Sequence, residues 1–352
     1  MATSYWNPTS GNDSNDGLSV ANAKLTIAAA ESVAQLGGIV KITPGIHNLS
    51  GLVTFSGGRT YESENSDKTT LNWGAANGDR LVVNLVSTNK GVVRNLKILG
   101  LKYNTSSPID TPSGTGDIDF ISNEFDTHGD WSGGGQFYLG NSIVTGTVTF
   151  SSNIVKAYIN RGSSSSFIFK GARNLIVRNN SFYITTLNDT QIYLNSNLVI
   201  NFTYDNNLFH LNASAPPNIN NQAANTLSRQ GNIYFGDDGT FTLVNDEIRE
   251  DPRFVGPENR NLKLQLSSPA IKAGLATGTN IPSDAVWVKA SGTATIDGTE
   301  GEETNPYGFS EWATVISDAN LTTSKSVVFS DGTYTFNAEF SNAYIITDMP
   351  LS

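Results

Sequence analysis

Four asparagines at near-regular intervals, Asn123, Asn153, Asn180 and Asn207, are each followed three positions later by a chemically capable side chain: Asp126, Lys156, Tyr183 and His210. Five positions after the same asparagines come His128, Tyr158, Thr185 and Asn212. Residues two apart on a strand share a face, so parallel strands in register would set these eight in two columns on one surface. Neighbours in a column would lie ~5 Å apart, and the ends of four ~15 Å apart. Aromatic rings beside carboxylate, imidazole and ammonium groups can stack on sugars and hydrogen-bond their hydroxyls. Asp126, His128, Lys156, Tyr158, Tyr183 and His210 are therefore the candidate carbohydrate-binding residues, and no catalytic residue is assigned. The plainer alternative is a solvated face, with Asp126 and Lys156 as a surface ion pair worth ~0–1 kcal/mol. A one-residue slip in register would reverse the faces.

Other chemistries find less support. Asp117 and Asp119 alternate onto one face at a spacing that suits the paired carboxylates of a glycosidase. A zinc site from His47, His128 and His210 fails because His47 lies several repeats away. The loop Gly11 to Gly17 has the acids of a calcium loop but not the spacing of an EF-hand, so Asx turns are its expected role. The chain contains no Cys, which removes disulfides, iron–sulfur clusters and thiol catalysis. Its formal charge of −10 disfavours nucleic acid. No run approaches the ~18 apolar residues of a membrane helix, so no membrane insertion is expected. Met1 to Trp6 lacks a basic n-region and an apolar h-region, so no signal peptide is expected there.

The elements that would position these residues are short strands in a repeat. VVRN95LKI, DFISN123EF, TFSSN153IV, IVRNN180SF, TYDNN207LF and RQGN232IYF recur with asparagine spacings of 28, 30, 27, 27 and 25. A unit of that length cannot bury its apolar side alone and must stack on copies of itself. Asparagine suits a corner where the chain turns left-handed, and stacked asparagines can hydrogen-bond along the column. Phe125, Val155, Phe182, Phe209 and Tyr234 then form an inward column. The first unit fits only with a one-residue shift that turns Leu96 and Ile98 inward. Ahead of the repeats, Val20 to Leu36 has helical spacing at Leu25, Ala29, Val33 and Leu36, and Gly37-Gly38 supplies the stop.

The opening Tyr5-Trp6-Asn7-Pro8-Thr9-Ser10-Gly11-Asn12-Asp13-Ser14-Asn15-Asp16-Gly17, the helix after it and Ile39 to Gly45 resemble the start of right-handed parallel β-helices of the pectate-lyase-like superfamily. The closing segments Asp251 to Phe254, Asn261 to Leu264 and Ser267 to Ile271 resemble their end. The resemblance implies an all-β, right-handed parallel β-helix of about eight or nine turns. Its parts would be a cap over residues 1–38, the solenoid over 39–282 and a small β-rich domain over 283–352. A lyase of this superfamily would need calcium held by acids, for which Asp117, Asp119 and Glu124 are the weak candidates. Its base would come from Lys156, Arg161, Lys170 or Arg173, although no family catalytic motif is intact there. No other cofactor is expected. Arg178 and Asp205 read as a structural pair on adjacent turns.

Trp6, Ser10, Gly11, Asp16 and Gly17 recur as Trp287, Ser291, Gly292, Asp297 and Gly298, each displaced by 281 positions. A helix over Phe309 to Ala319 and strands near Val327 to Phe329 and Tyr344 to Ile346 would follow, as if a second β-helix begins. Exposed strand edges attract other chains, so residues 283–352 are expected to contact other subunits. The functional expectation is a structural, carbohydrate-engaging protein of a virion or cell surface, extracellular in location, with a glycan as partner. The alternative is a polysaccharide lyase or glycosidase acting on an acidic polysaccharide.

Overall fold

A computed structural model describes residues 1–272 apart from 66–67, 85–88, 104–106, 112–115, 130–134, 139–145, 160–165, 171–173, 187–190, 196–200, 214–217, 221–225, 238, 241, 245, 260 and 266–267. Beyond residue 272 it describes four strands, 286–289, 307–308, 326–330 and 344–347. The chain forms two compact units, Met1–Arg249 and Glu250–Ser352. The expected boundary at 282 and the second helix at 309–319 lie outside the described residues.

The first unit is a right-handed parallel β-helix. Three sheets of nine, eight and seven strands, called A, B and C here, run along it, and each coil visits A, then B, then C. Every strand pairs in parallel with its counterpart in the next coil. Seven coils between Ile39 and Asn220 have all three strands, and an eighth has two, Thr226–Gln230 and Ile233–Phe235. The expectation of about eight or nine turns over 39–282 is thus too long. The closing segment forms an antiparallel pair instead, Phe254–Gly256 with Asn261–Leu264. Ser268 follows that pair; its hydroxyl donates to Pro252 O at 2.6 Å and accepts from Ala270 N at 3.1 Å.

The corner between sheets A and B sets the register. Asn123, Asn153, Asn180, Asn207 and Asn232 are fully buried. Each Nδ2 from Asn123 to Asn207 donates to Oδ1 of the next asparagine, at 3.2, 3.1, 2.9 and 3.0 Å in turn. Each backbone N–H from Asn123 to Asn207 donates to that same oxygen. The ladder begins where Leu96 N donates to Asn123 Oδ1 and ends where Asn232 Nδ2 donates to the buried Glu247 carboxylate at 2.9 Å. One expectation about this corner needs correcting. The left-handed residue is the one before the ladder, Ser122, Ser152, Asn179, Asn206 or Gly231, with φ between 55° and 61°. In the first repeat that residue is Asn95 itself, and Leu96 takes the ladder position, which accounts for the one-residue shift.

Inside the coils the expected column is present. Phe125, Val155, Phe182, Phe209 and Tyr234 are all buried, as are Leu96 and Ile98. Phe182 stacks on Phe209 with ring centroids 4.8 Å apart, and Phe209 on Tyr234 at 5.2 Å.

The capping helix is shorter than its periodicity suggests, Ile27–Ala34. Thr26 caps it, and the Asp13 carboxylate accepts from Thr26 N, Leu25 N and Thr26 Oγ1 at 2.8–2.9 Å. These bonds, the Thr26 amide first, hold the Asp13 pKa below its usual value. Residues 20–26 are thereby drawn into the opening loop, and Leu25 and Leu36 are 41% and 59% exposed instead of facing the core. The buried face is Ala30, Glu31 and Ala34. At the far end Gly38 is required, because a Cβ there would meet Ala34 O at 1.9 Å. Glu31 fastens the helix to the first two coils, accepting from Ser56 N at 2.8 Å, Ser56 Oγ at 2.7 Å and Tyr61 OH at 2.6 Å. Burial is the main cause that drives the Tyr61 pKa far above the usual tyrosine value. Among the described residues, no helix is long and apolar enough to cross a membrane.

Candidate functional site

The outward face of sheet B carries the two columns in the register that the asparagine spacing predicts. Asp126 pairs with Lys156, Lys156 with Tyr183 and Tyr183 with His210. His128 likewise pairs with Tyr158, Tyr158 with Thr185 and Thr185 with Asn212. All six candidate carbohydrate-binding residues therefore stand on one surface. Asp126 and Tyr183 are buried, Asn212 is exposed, and His128, Lys156, Tyr158, Thr185 and His210 are half-buried.

The structure adds one residue to each column. Phe235 follows His210 in register and is 36% exposed. It stands three positions after Asn232, so the same counting rule would have found it. Lys102 precedes His128, and no counting rule reaches it. The strand Leu96–Tyr103 has a β-bulge opposite Asp126, where Leu99 and Gly100 fall between the paired residues Ile98 and Leu101. Gly100 takes φ 72°, and a Cβ there would meet Trp73 O at 1.9 Å, so the bulge needs glycine. The extra residue advances the strand and brings Lys102 beside His128.

The contacts join these groups into two clusters. His128 Nε2 lies 3.5 Å from Asp126 Oδ1, and its ring faces Tyr158 with centroids 5.5 Å apart. Further along, the Tyr183 and His210 rings are 5.2 Å apart, and His210 meets Phe235 at 4.9 Å with the planes at 66°. Asn212 Nδ2 donates to the Tyr183 hydroxyl oxygen at 2.8 Å, which fixes that ring. The surface thus sets ring faces beside hydrogen-bonding groups on neighbouring strands, which lie ~4.8 Å apart along the coil axis.

The other candidates do not join it. Asp119 faces outward from the sheet A strand Ile118–Ile121 and Asp117 is exposed just before it, whereas Glu124 is on sheet B. Asp119 Oδ2 pairs with Lys90 Nζ at 2.6 Å, Asp117 Oδ1 accepts from Thr147 N at 2.7 Å, and Glu124 is flanked by Lys68 and Lys97 at 3.5 and 3.8 Å. These three carboxylates do not converge, and among the described residues no group of three His, Asp or Glu side chains is placed to hold a metal. Lys170 sits on a sheet C strand, and Arg161 and Arg173 lie outside the described residues. His47 is buried at the N-terminal cap, its Nδ1 2.9 Å from Thr9 Oγ1 and its Nε2 2.8 Å from Thr43 O. Arg178 and Asp205 are register neighbours on sheet A, and burial raises the Asp205 pKa against the opposing pull of the Gln230 amide and Arg178.

No protein-family model and no curated protein matches the chain. Among solved structures, a rhamnogalacturonan lyase aligns with 80% of this chain and 95% of its own, at 11% identity and a TM-score of 0.31. A likeness of that size carries no argument about activity, which rests on the residues described above.

Proposed function

We propose that this β-helix is a structural, carbohydrate-engaging protein of a virion or cell surface, of the appendage, fibre or adhesin kind. It binds glycan on the outward face of sheet B. The carrying observation is the pair of register-matched columns, Asp126–Lys156–Tyr183–His210–Phe235 and Lys102–His128–Tyr158–Thr185–Asn212. A sugar ring has an apolar face that packs on an aromatic ring and a rim of hydroxyls that needs donors and acceptors, and these columns offer both. Because the pattern continues over consecutive coils, it suits an extended chain of sugars. A solenoid with only 15% charged residues and ample Gly, Asn, Ser and Thr is also in keeping with an extracellular setting.

The test is binding of the full chain to a glycan array, followed by titration calorimetry on each hit. Tyr158→Ala and Lys156→Ala should each weaken binding at least tenfold with an unchanged unfolding midpoint. Binding that survives both substitutions would place the glycan elsewhere. A second reading, a polysaccharide lyase or glycosidase, is favoured by the Asp126–His128 contact beside Lys156. Turnover of alginate or pectate, followed by ultraviolet absorbance of unsaturated ends and by reducing ends, and lost in Asp126→Ala, would establish that reading instead.

A further inference from the structure

The second unit repeats the topology with which the first begins. In the first unit Thr3–Trp6 pairs in parallel with Ile39–Ile42, which pairs in parallel with Thr60–Ser63. On its other side Thr3–Trp6 is closed by a parallel bridge from Trp6 to Lys24, 18 residues on. In the second unit Val286–Lys289 pairs in parallel with Ser326–Ser330, which pairs in parallel with Tyr344–Thr347. On its other side Val286–Lys289 is closed by the parallel strand Tyr307–Gly308, where Val288 meets Tyr307 19 residues on. The four positions occur in the same order in space and in sequence. The repeated residues Trp6 and Trp287 both lie on the first strand of their set.

We propose that the strands Val286–Lys289, Tyr307–Gly308, Ser326–Ser330 and Tyr344–Thr347 are the cap and first strands of a second parallel β-helix, with Tyr344–Thr347 as its growing edge. The partner it fits is a further β-helical coil whose strand pairs in parallel with Tyr344–Thr347. Two observations make that edge directional. In both units the opposite edge is already closed, by Lys24 in one and by Tyr307–Gly308 in the other. In the first unit Thr60–Ser63, the counterpart of Tyr344–Thr347, carries the next coil's strand Gly91–Arg94 in parallel. A repeat protein stabilises each coil chiefly through its neighbour, so a formed cap templates the coil laid against it. Tyr344-Ile345-Ile346-Thr347 also has no charge and no proline, the residues that usually blunt a strand edge.

The experiment supplies such a coil. Residues 1–347 are extended directly with a second copy of residues 64–249 in place of 348–352, so that the copied coils continue from Tyr344–Thr347 as they do from Thr60–Ser63. Limited proteolysis with mass mapping should show the appended coils resisting digestion as long as residues 1–249. In a companion carrying Val328→Pro, which disrupts the cap sheet between its first and last strands, the appended coils should be digested at least tenfold faster while residues 1–249 stay intact. Equal resistance in both proteins would mean that the coils fold without the cap, and rapid digestion in both would mean that the cap does not template. Either result overturns the proposal.

Discussion

Asn180 offers the sharpest test of what holds the coils in register. It is fully buried; its Oδ1 accepts from Asn153 N at 2.8 Å and Asn153 Nδ2 at 3.1 Å. Its Nδ2 faces three acceptors, Phe150 O, Arg178 O and Asn207 Oδ1, each at 2.9 Å. Asn180→Ala strands the Asn153 N–H in a dry interior, which costs ~1–3 kcal/mol, and removes further bonds worth ~1 kcal/mol each. The expected loss is ~3–5 kcal/mol, or about 6–20 °C in the unfolding midpoint of a domain this size. Asn180→Asp keeps the shape but sets a second oxygen against those three acceptors, an uncompensated buried charge that costs ~3–5 kcal/mol. Burial and the facing oxygens raise the folded-state pKa of that carboxyl above its unfolded value of ~3.9. The penalty is therefore full above the folded pKa and shrinks as the pH falls towards the unfolded one. Urea melts at pH 7 and pH 4 should show the aspartate variant recovering towards wild type on acidification while the alanine variant does not. An alanine variant within ~1 kcal/mol of wild type, or an aspartate deficit independent of pH, would refute the reasoning.

Glu31→Ala should cost ~2–4 kcal/mol, because it strands the Ser56 N–H and hydroxyl while Tyr61 OH keeps only Ser56 O, and denaturant melts with Glu31→Gln as the milder variant check this. Asp110 is buried on sheet C, and that burial, only partly offset by Arg80, pushes its pKa up to about 6. The native state then holds the Asp110 proton to higher pH than the unfolded chain does, so its contribution to stability falls as the pH rises from ~4 to ~6. Asp110→Asn should flatten that part of the pH–stability curve, and an unchanged slope would remove Asp110 as its source. Gly100→Ala should unfold or strongly destabilise the third coil, given the 1.9 Å approach of a Cβ to Trp73 O, and hydrogen exchange across residues 96–103 would report it.

What was legible in the sequence depended on whether a local pattern carried the information. The asparagine spacing set the register of five coils, and with it the inward phenylalanines and both outer columns, because one buried amide per coil fixes every residue counted from it. The helix start was not legible, since Asp13, from 13 residues upstream, captures the Thr26 amide and ends an otherwise continuous helical pattern. Lys102 was hidden by a bulge that adds a residue to the count. The end of the solenoid was overestimated because Phe254 and Leu264 alternate like coil residues but pair antiparallel with each other.

The ladder also has an electrical sense. Every Oδ1 in it accepts from the coil before, and every Nδ2 from Asn123 to Asn207 donates one hydrogen to the coil after and the other to a carbonyl of the coil before, so the side-chain dipoles share one sense with the positive end at Asn232. The carboxylate of Glu247 stands at that end, and Tyr234 OH and Val244 N also donate to it. A column of neutral side chains thus ends on a fixed negative charge of the sign its polarisation favours. Because such a field falls off within about a turn, only the amides nearest Asn232 act on Glu247, and coils inserted in register further along would leave this anchor unchanged.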